Sequence, residues 1–399
     1  MEISSEQSSQ PASRLALWSL GFRPFFLFAG IFAVLSMALW MFIYVFNLPY
    51  ATTGISIYQW HAHEMIYGYS MAVIAGFLLT AVQNWTGKPT ASGKALIALV
   101  LLWAVARMAM LFGDRFIAIA GFFDMLFMLG LMIAVAMPIA EAEQWEQLGV
   151  LSQLILLMLG NLSFYLGALG LLLPGAYWGI YGGLLLVVGL ILTIARRVVP
   201  FFIERGVGYP VQLYNARWLD NTSFVLFTLF FIAELFLATP GLVFVLAGAL
   251  FIVTSVRLYG WHTAGIWKKP LLWSLFIALL FIDFGFLMFA LNIVIDVPRL
   301  LAIHAFAVGG VGLITLAMMS RVSLGHTGRD IGNPPLVVSI ACLCLIAAAL
   351  FRVVVPLFAM EQYQMWIMVS QVLWIAAFAL FVIRYLPILM RPRADGRPG

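Results

Sequence analysis

The chain has 399 residues, of which 64% are hydrophobic and only 9% charged, whereas soluble domains carry about 25% charged residues. No soluble fold of this size can cover that much apolar surface, but a bilayer accepts it. The net charge of +5 sits in short loops between apolar runs, a distribution that speaks against a nucleic-acid groove and for membrane topology.

Cut at Pro, Gly and charge clusters, the sequence yields runs of roughly 20 apolar residues, each long enough for a helix to cross a bilayer. In chain order they are 23–47, 60–82, 93–112, 114–139, 147–172, 175–200, 217–237, 240–258, 270–292, 298–322, 334–358 and 363–390. The predicted fold class is therefore all-α: a polytopic membrane bundle of about 12 transmembrane helices, forming one domain over 23–390. Residues 1–22 are polar, lack a charged-then-apolar leader, and are expected as a disordered cytoplasmic tail. Residues 391–399 are expected as a basic, Pro-rich tail, and 199–216 as the longest loop. With the N-terminus inside, seventeen of the 21 Lys and Arg fall on the side of the two termini; only Arg107, Arg115, Arg299 and Arg352 fall on the other. That asymmetry places both termini in the cytoplasm.

The second and tenth spans echo each other. His63 and His304, Gly68 and Gly309, and Thr86-Gly87-Lys88 and Thr327-Gly328-Arg329 share one offset of 241 residues. A four-helix unit used three times would relate the second, sixth and tenth spans, a pseudo-three-fold arrangement. The sixth span carries Arg196-Arg197 near its inner end but no His.

Five histidines divide by side. His61 and His63 open the second span at the outer face, and His304 lies at the same depth in the tenth; His262 and His326 lie at the inner face. A haem iron needs two axial imidazoles at matching depth, which His63 and His304 satisfy. Gly68 and Gly309 follow each of them and would let a flat macrocycle approach the backbone. The alternative is that the histidines are polar caps and the glycines serve helix packing. His61 and His63 are two apart and diverge by about 200° on a regular helix. One can ligate haem while the other holds a propionate or a second metal such as copper. His262 and His326 could hold copper or a second haem, or be solvated loop histidines. Cys342 and Cys344 diverge likewise and read as packing residues. Trp60, Trp85, Trp178, Trp261 and Trp267 at helix ends fit the aromatic belt.

Ionisable residues inside spans are expensive and usually functional. Glu64, beside His63, and Asp283, midway along the ninth span, are candidates for a proton path, whereas Arg107 and Asp124 on consecutive spans are expected to neutralise each other.

Trp60-His61-Ala62-His63-Glu64-Met65, Ser19-Leu20-Gly21-Phe22-Arg23-Pro24, and the segments His304-Ala305-Phe306-Ala307 and Met318 to Arg329 together resemble the NnrS family, over residues 15 to about 390. The resemblance implies a bacterial inner-membrane protein containing haem b and copper. It also implies a link to nitric oxide metabolism, denitrification and protection from nitrosative stress, with an oxidoreductase activity left open. More distantly, twelve helices with haem histidines on the second and tenth resemble the haem–copper oxidase catalytic subunit. However, no His in the sixth span and no His-His pair after the seventh could build that enzyme's copper site. Expected partners are membrane lipid and a quinol or membrane redox protein, with no nucleic acid. The alternative function is a non-enzymatic transporter of a metal, haem or small solute, to which twelve helices and repeats are also suited.

Overall fold

Inside a bilayer every backbone N–H and C=O must find its partner within the chain, which a helix does locally. The chain accordingly folds, in this computed structural model describing residues 16–50, 54–237, 239–295 and 297–397, into helices with no strand among the described residues. Twelve are long and apolar enough to span a membrane: α1 (Phe22–Tyr44), α2 (Ile57–Thr86), α3 (Gly93–Leu111), α4 (Ile117–Glu141), α5 (Trp145–Ala168), α6 (Gly175–Gly206), α7 (Arg217–Leu237), α8 (Pro240–Trp261), α9 (Pro270–Ile295), α10 (Arg299–His326), α11 (Leu336–Leu357) and α12 (Met360–Met390).

Each expected span is present, and the differences in length have local causes. Ser56 and Gln59 form a reciprocal capping box that starts α2 at Ile57, satisfying donors a bare helix start would leave open. Helix α6 continues through Pro200 to Gly206, so the loop expected over 199–216 shortens to 207–216. Helix α10 likewise runs on to His326.

The expected disordered tail over 1–22 is corrected in part. Residues 1–15 lie outside the described residues, but Ala16 and Leu17 are buried, and Ala16 N–H donates to the Met390 carbonyl at 2.8 Å. The two chain ends therefore meet on one face. Arg23 is fully buried there and donates to the carbonyls of Leu389 and Arg391 at 3.0 and 2.8 Å. A cation at the carbonyl-rich end of α12 is placed where the helix dipole favours it. The basic tail is also tethered: Ala394 N–H donates to the Thr327 carbonyl, and Arg393 to the His326 carbonyl.

Helices α2, α6 and α10 pack on one another at the centre, with α9 beside them; α12 closes against α1. The outer halves of α2, α6 and α10, the three spans that the proposed repeat relates, each contain a π-helical stretch: Glu64–Ser70, Trp178–Gly182 and Ala305–Gly312. Two more lie at Ala233–Leu237 in α7 and Leu350–Val354 in α11. A wide turn displaces carbonyls from the regular ladder, and π-bulges gather at functional sites. Side chains take up several of the displaced groups. Trp103 Nε1 donates to the Gly68 carbonyl (2.9 Å), Tyr67 hydroxyl to the Gly179 carbonyl (2.7 Å) and Ser70 hydroxyl to the Met65 carbonyl (2.8 Å). The Tyr69 and Thr315 hydroxyls bond at 2.6 Å and join α2 to α10.

The glycines expected to face a macrocycle do something else. A Cβ on Gly68 would lie 2.6 Å from the Phe32 ring, and one on Gly309 would run into the Phe281 ring. Both positions receive a neighbouring aromatic side chain, the packing alternative that small residues serve in membrane bundles. Gly309→Ala should therefore lower stability by about 1–3 kcal/mol through overpacking, read as a lowered thermal midpoint in detergent; an unchanged midpoint would show that the α9–α10 contact yields.

Candidate functional site

The capping box fixes where the turns of α2 fall, and with them the directions of its two histidines. Two residues apart, they face opposite ways. His61 lines a cavity of about 560 Å³ in the half of the bundle away from the two chain ends, and His304 of α10 lines the same cavity. That volume lies within the range of small-molecule and cofactor sites. The remaining wall is mostly apolar and aromatic, including Trp40, Tyr44, Met65, Tyr181, Val308 and Trp374, with Arg352, Tyr363, Gln59 and Gln371 among its polar groups.

His304 Nδ1 lies 2.7 Å from the Leu300 carbonyl one turn earlier. A carbonyl can only accept, so Nδ1 carries the proton and the Nε2 lone pair is free to accept or to bind a metal. Arg352 Nη2 donates to that Nε2 at 3.2 Å, a bond that a metal at Nε2 would displace. His61 is held by its face, its ring stacked on Trp40 at 4.5 Å between centroids and 7° between planes. Among the described residues its buried Nδ1 has no hydrogen-bond partner, a costly state for a polar atom.

Arg352 is buried, and its Nη1 donates to the Tyr363 hydroxyl at 2.8 Å. Among the described residues no carboxylate lies within 4 Å of it. A buried guanidinium without a counter-charge is strongly unfavourable unless something anionic joins it. The cavity thus offers two imidazoles, one uncompensated cation and apolar walls.

The structure corrects the pairing of His63 with His304. His63 is fully buried on the opposite side of α2, where Nδ1 lies 2.9 Å from Glu64 Oε1 and Nε2 lies 2.9 Å from Asn161 Oδ1. Its ring stacks on Phe164 at 4.2 Å. Both ring nitrogens are engaged, and neither faces the cavity. Glu64 in turn forms an ion pair with Arg107, and Arg107 with Asp124. Asp124 also accepts from the Tyr165 hydroxyl at 2.7 Å. The expected neutralisation of Arg107 by Asp124 is present, but it belongs to a larger buried network that includes both Glu64 and His63. The carboxylate offered as a proton carrier is thereby held between two partners.

The other expected site residues stand apart. Asp283 on α9 accepts from Ser255 of α8 at 2.6 Å. His262 follows α8, where its Nε2 accepts from Trp267 Nε1 at 3.0 Å, whereas His326 ends α10 against the Phe22 ring and beside Asn84. The inner pair thus shares no partner. Among the described residues no cluster of three or more His, Cys, Asp or Glu suits a metal ion.

Arg352, Trp40, Tyr44 and Tyr363 were missing from the expected site. Arg352 carries a visible signal, a lone cation inside an apolar span, which the count of charges by side absorbs. The aromatic residues carried no signal, because helix-end aromatics are common in any membrane bundle.

A family model described as "NnrS protein" matches residues 16–393, nearly the whole chain. No curated protein matches it.

Proposed function

The chain belongs to the NnrS family, and we propose that it holds a b-type haem in the two-histidine cavity, as the centre of a membrane protein acting on nitric oxide. One observation carries the reading: His61, His304 and the uncompensated Arg352 line one cavity of about 560 Å³. His61 and His304 would hold the haem iron through their imidazoles, and Arg352 with Tyr363 would suit an acidic propionate. Copper would find the two imidazoles and the Met65 thioether in this wall but, among the described residues, no cluster of three or more His, Cys, Asp or Glu; haem brings four nitrogen ligands of its own and so suits the cavity better. The sequence has no Cys-x-x-Cys-His attachment motif, which favours a non-covalent cofactor.

Bound here, haem would supply an iron able to exchange electrons or bind nitric oxide. The chain's own contribution is asymmetric. His304 is oriented by the Leu300 carbonyl, which fixes its ring and its proton. His61 has stacking on Trp40 but no hydrogen bond at Nδ1, so it is the histidine freer to turn and open a position. Arg352 supplies positive charge beside both rings in an apolar setting, where such a charge acts strongly. The Lys and Arg excess on the face of the two termini supports a cytoplasmic placement of that face in a bacterial inner membrane, with the cavity toward the opposite side.

The first test is the absorption spectrum and metal content of the purified protein. The expected result is one non-covalent haem per chain with the spectrum of bis-imidazole ligation. A colourless protein without iron, recovered from haem-supplied cells, sinks the proposal and favours a transporter.

A further inference from the structure

A second large cavity, of about 480 Å³, lies among α5, α6, α7 and α8 and reaches from the face of the two termini to the middle of the bundle. Its two ends differ in chemistry. At the terminal face, three guanidiniums, Arg196, Arg197 and Arg257, stand against two carboxylates, Asp220 and Glu146. Arg257 and Arg196 share the single Asp220 carboxylate, at 2.7 and 3.2 Å. Arg197 has only a neutral partner, donating to Gln147 Oε1 at 2.9 Å. Positive charge is thus in excess. Trp261 and Gln153 also line the cavity, and among the described residues the Trp261 Nε1 donor and the Gln153 Oε1 acceptor are buried without partners. Toward the bundle centre the wall becomes apolar, with Leu156, Leu186, Phe227, Phe231 and Leu279.

A charged mouth over a greasy shaft matches an amphiphile, and basic pockets between membrane helices suit anionic headgroups. We propose that this slot binds one anionic phospholipid of the adjacent leaflet, its phosphate among Arg196, Arg197 and Arg257 and an acyl chain along the shaft. A phosphatidylglycerol headgroup also brings hydroxyls that can donate to Gln153. The site is separate from the two-histidine cavity and stands whether or not that cavity holds haem.

The experiment uses the full chain, delipidated in detergent and titrated with phosphatidylglycerol or with phosphatidylcholine of the same acyl chains. Native mass spectrometry would count bound lipid, and thermal unfolding would follow stability. The expected result is retention of one phosphatidylglycerol and a raised unfolding midpoint, with phosphatidylcholine binding at least about fivefold more weakly. Arg197→Gln, which breaks no ion pair, should weaken phosphatidylglycerol about fivefold. Gly149 lines the mouth, and a Cβ there meets no atom within 4 Å. Gly149→Phe should therefore exclude the lipid without touching the charges. Equal binding of the two lipids, an unchanged affinity in both variants, or the full shift produced by inorganic phosphate alone would overturn the assignment.

Discussion

His304→Ala is expected to yield a chain that inserts and folds but retains less than roughly one-tenth of the wild-type haem, a change of at least ~1.4 kcal/mol in binding. His304 lines the cavity, and its removal costs its contact with Arg352 of α11, while Tyr69 and Thr315 still join α2 to α10. Its Nε2 is the lone pair that the Leu300 carbonyl orients for a metal, whereas the other imidazole of the wall, His61, has no such bond to fix it. His61→Ala should act differently. Losing the less constrained ligand should leave haem bound but shift its spectrum from the low-spin to the high-spin form. Arg352→Met should keep the spectral type and weaken retention, because it removes the positive partner for an acidic edge but neither imidazole. Absorption spectra and haem content of the three variants decide the matter. A His304→Ala protein with full haem and an unchanged spectrum would place the iron elsewhere. Full loss on His63→Ala in a still-folded protein would restore the pairing that the structure sets aside.

The second large effect lies outside the cavity. Arg107→Met should destabilise the fold by about 3–5 kcal/mol, because removing one partner strands buried charge on the others. Arg107 bridges Glu64 and Asp124, all three are buried, and His63 and Tyr165 add a hydrogen bond to Glu64 and Asp124 respectively. The network ties α2, α3, α4 and α5 together around the first wide turn of α2. Restoring balance should recover part of the loss: Arg107→Met combined with Asp124→Asn should unfold at a higher temperature than Arg107→Met alone. Thermal unfolding in detergent, with yield from the membrane fraction as a second measure, tests both statements. An Arg107→Met protein as stable as the parent would mean that the carboxylates are already neutral or reached by water.

These two predictions separate the histidines that the sequence had joined. His63 and His304 sit at matching depth and at a common offset, and each is followed by a glycine five residues on, so their pairing was the natural reading. Depth is a one-dimensional property that residue counting delivers. Direction around the helix axis is not, because a wide π turn begins directly after His63 in α2 and another directly after His304 in α10. The glycines failed as signals for the same reason. Gly68 and Gly309 mark close approach, but only the packing shows that Phe32 and Phe281, not a ligand, approach. The motifs that carried the family resemblance also divide. His61 and His304 line the cavity, whereas Arg23 and Thr327-Gly328-Arg329 help hold the two chain ends on the terminal face.

What the sequence by itself determined is the solvent and the number of crossings. Hydrocarbon tolerates neither unpaired backbone nor loose charge, so apolar runs of the right length leave twelve helices as the one solution, with loops within a few residues of their expected ends. What only the tertiary structure decided is which faces meet. It turned His61 rather than His63 toward His304, brought Arg352 from α11 beside them, and drew Arg107, Glu64 and Asp124 into one network. Lipid and protein interior are equally apolar, so hydropathy does not reveal which side of a membrane helix looks inward. Only side-chain packing and the pairing of buried polar groups settle that.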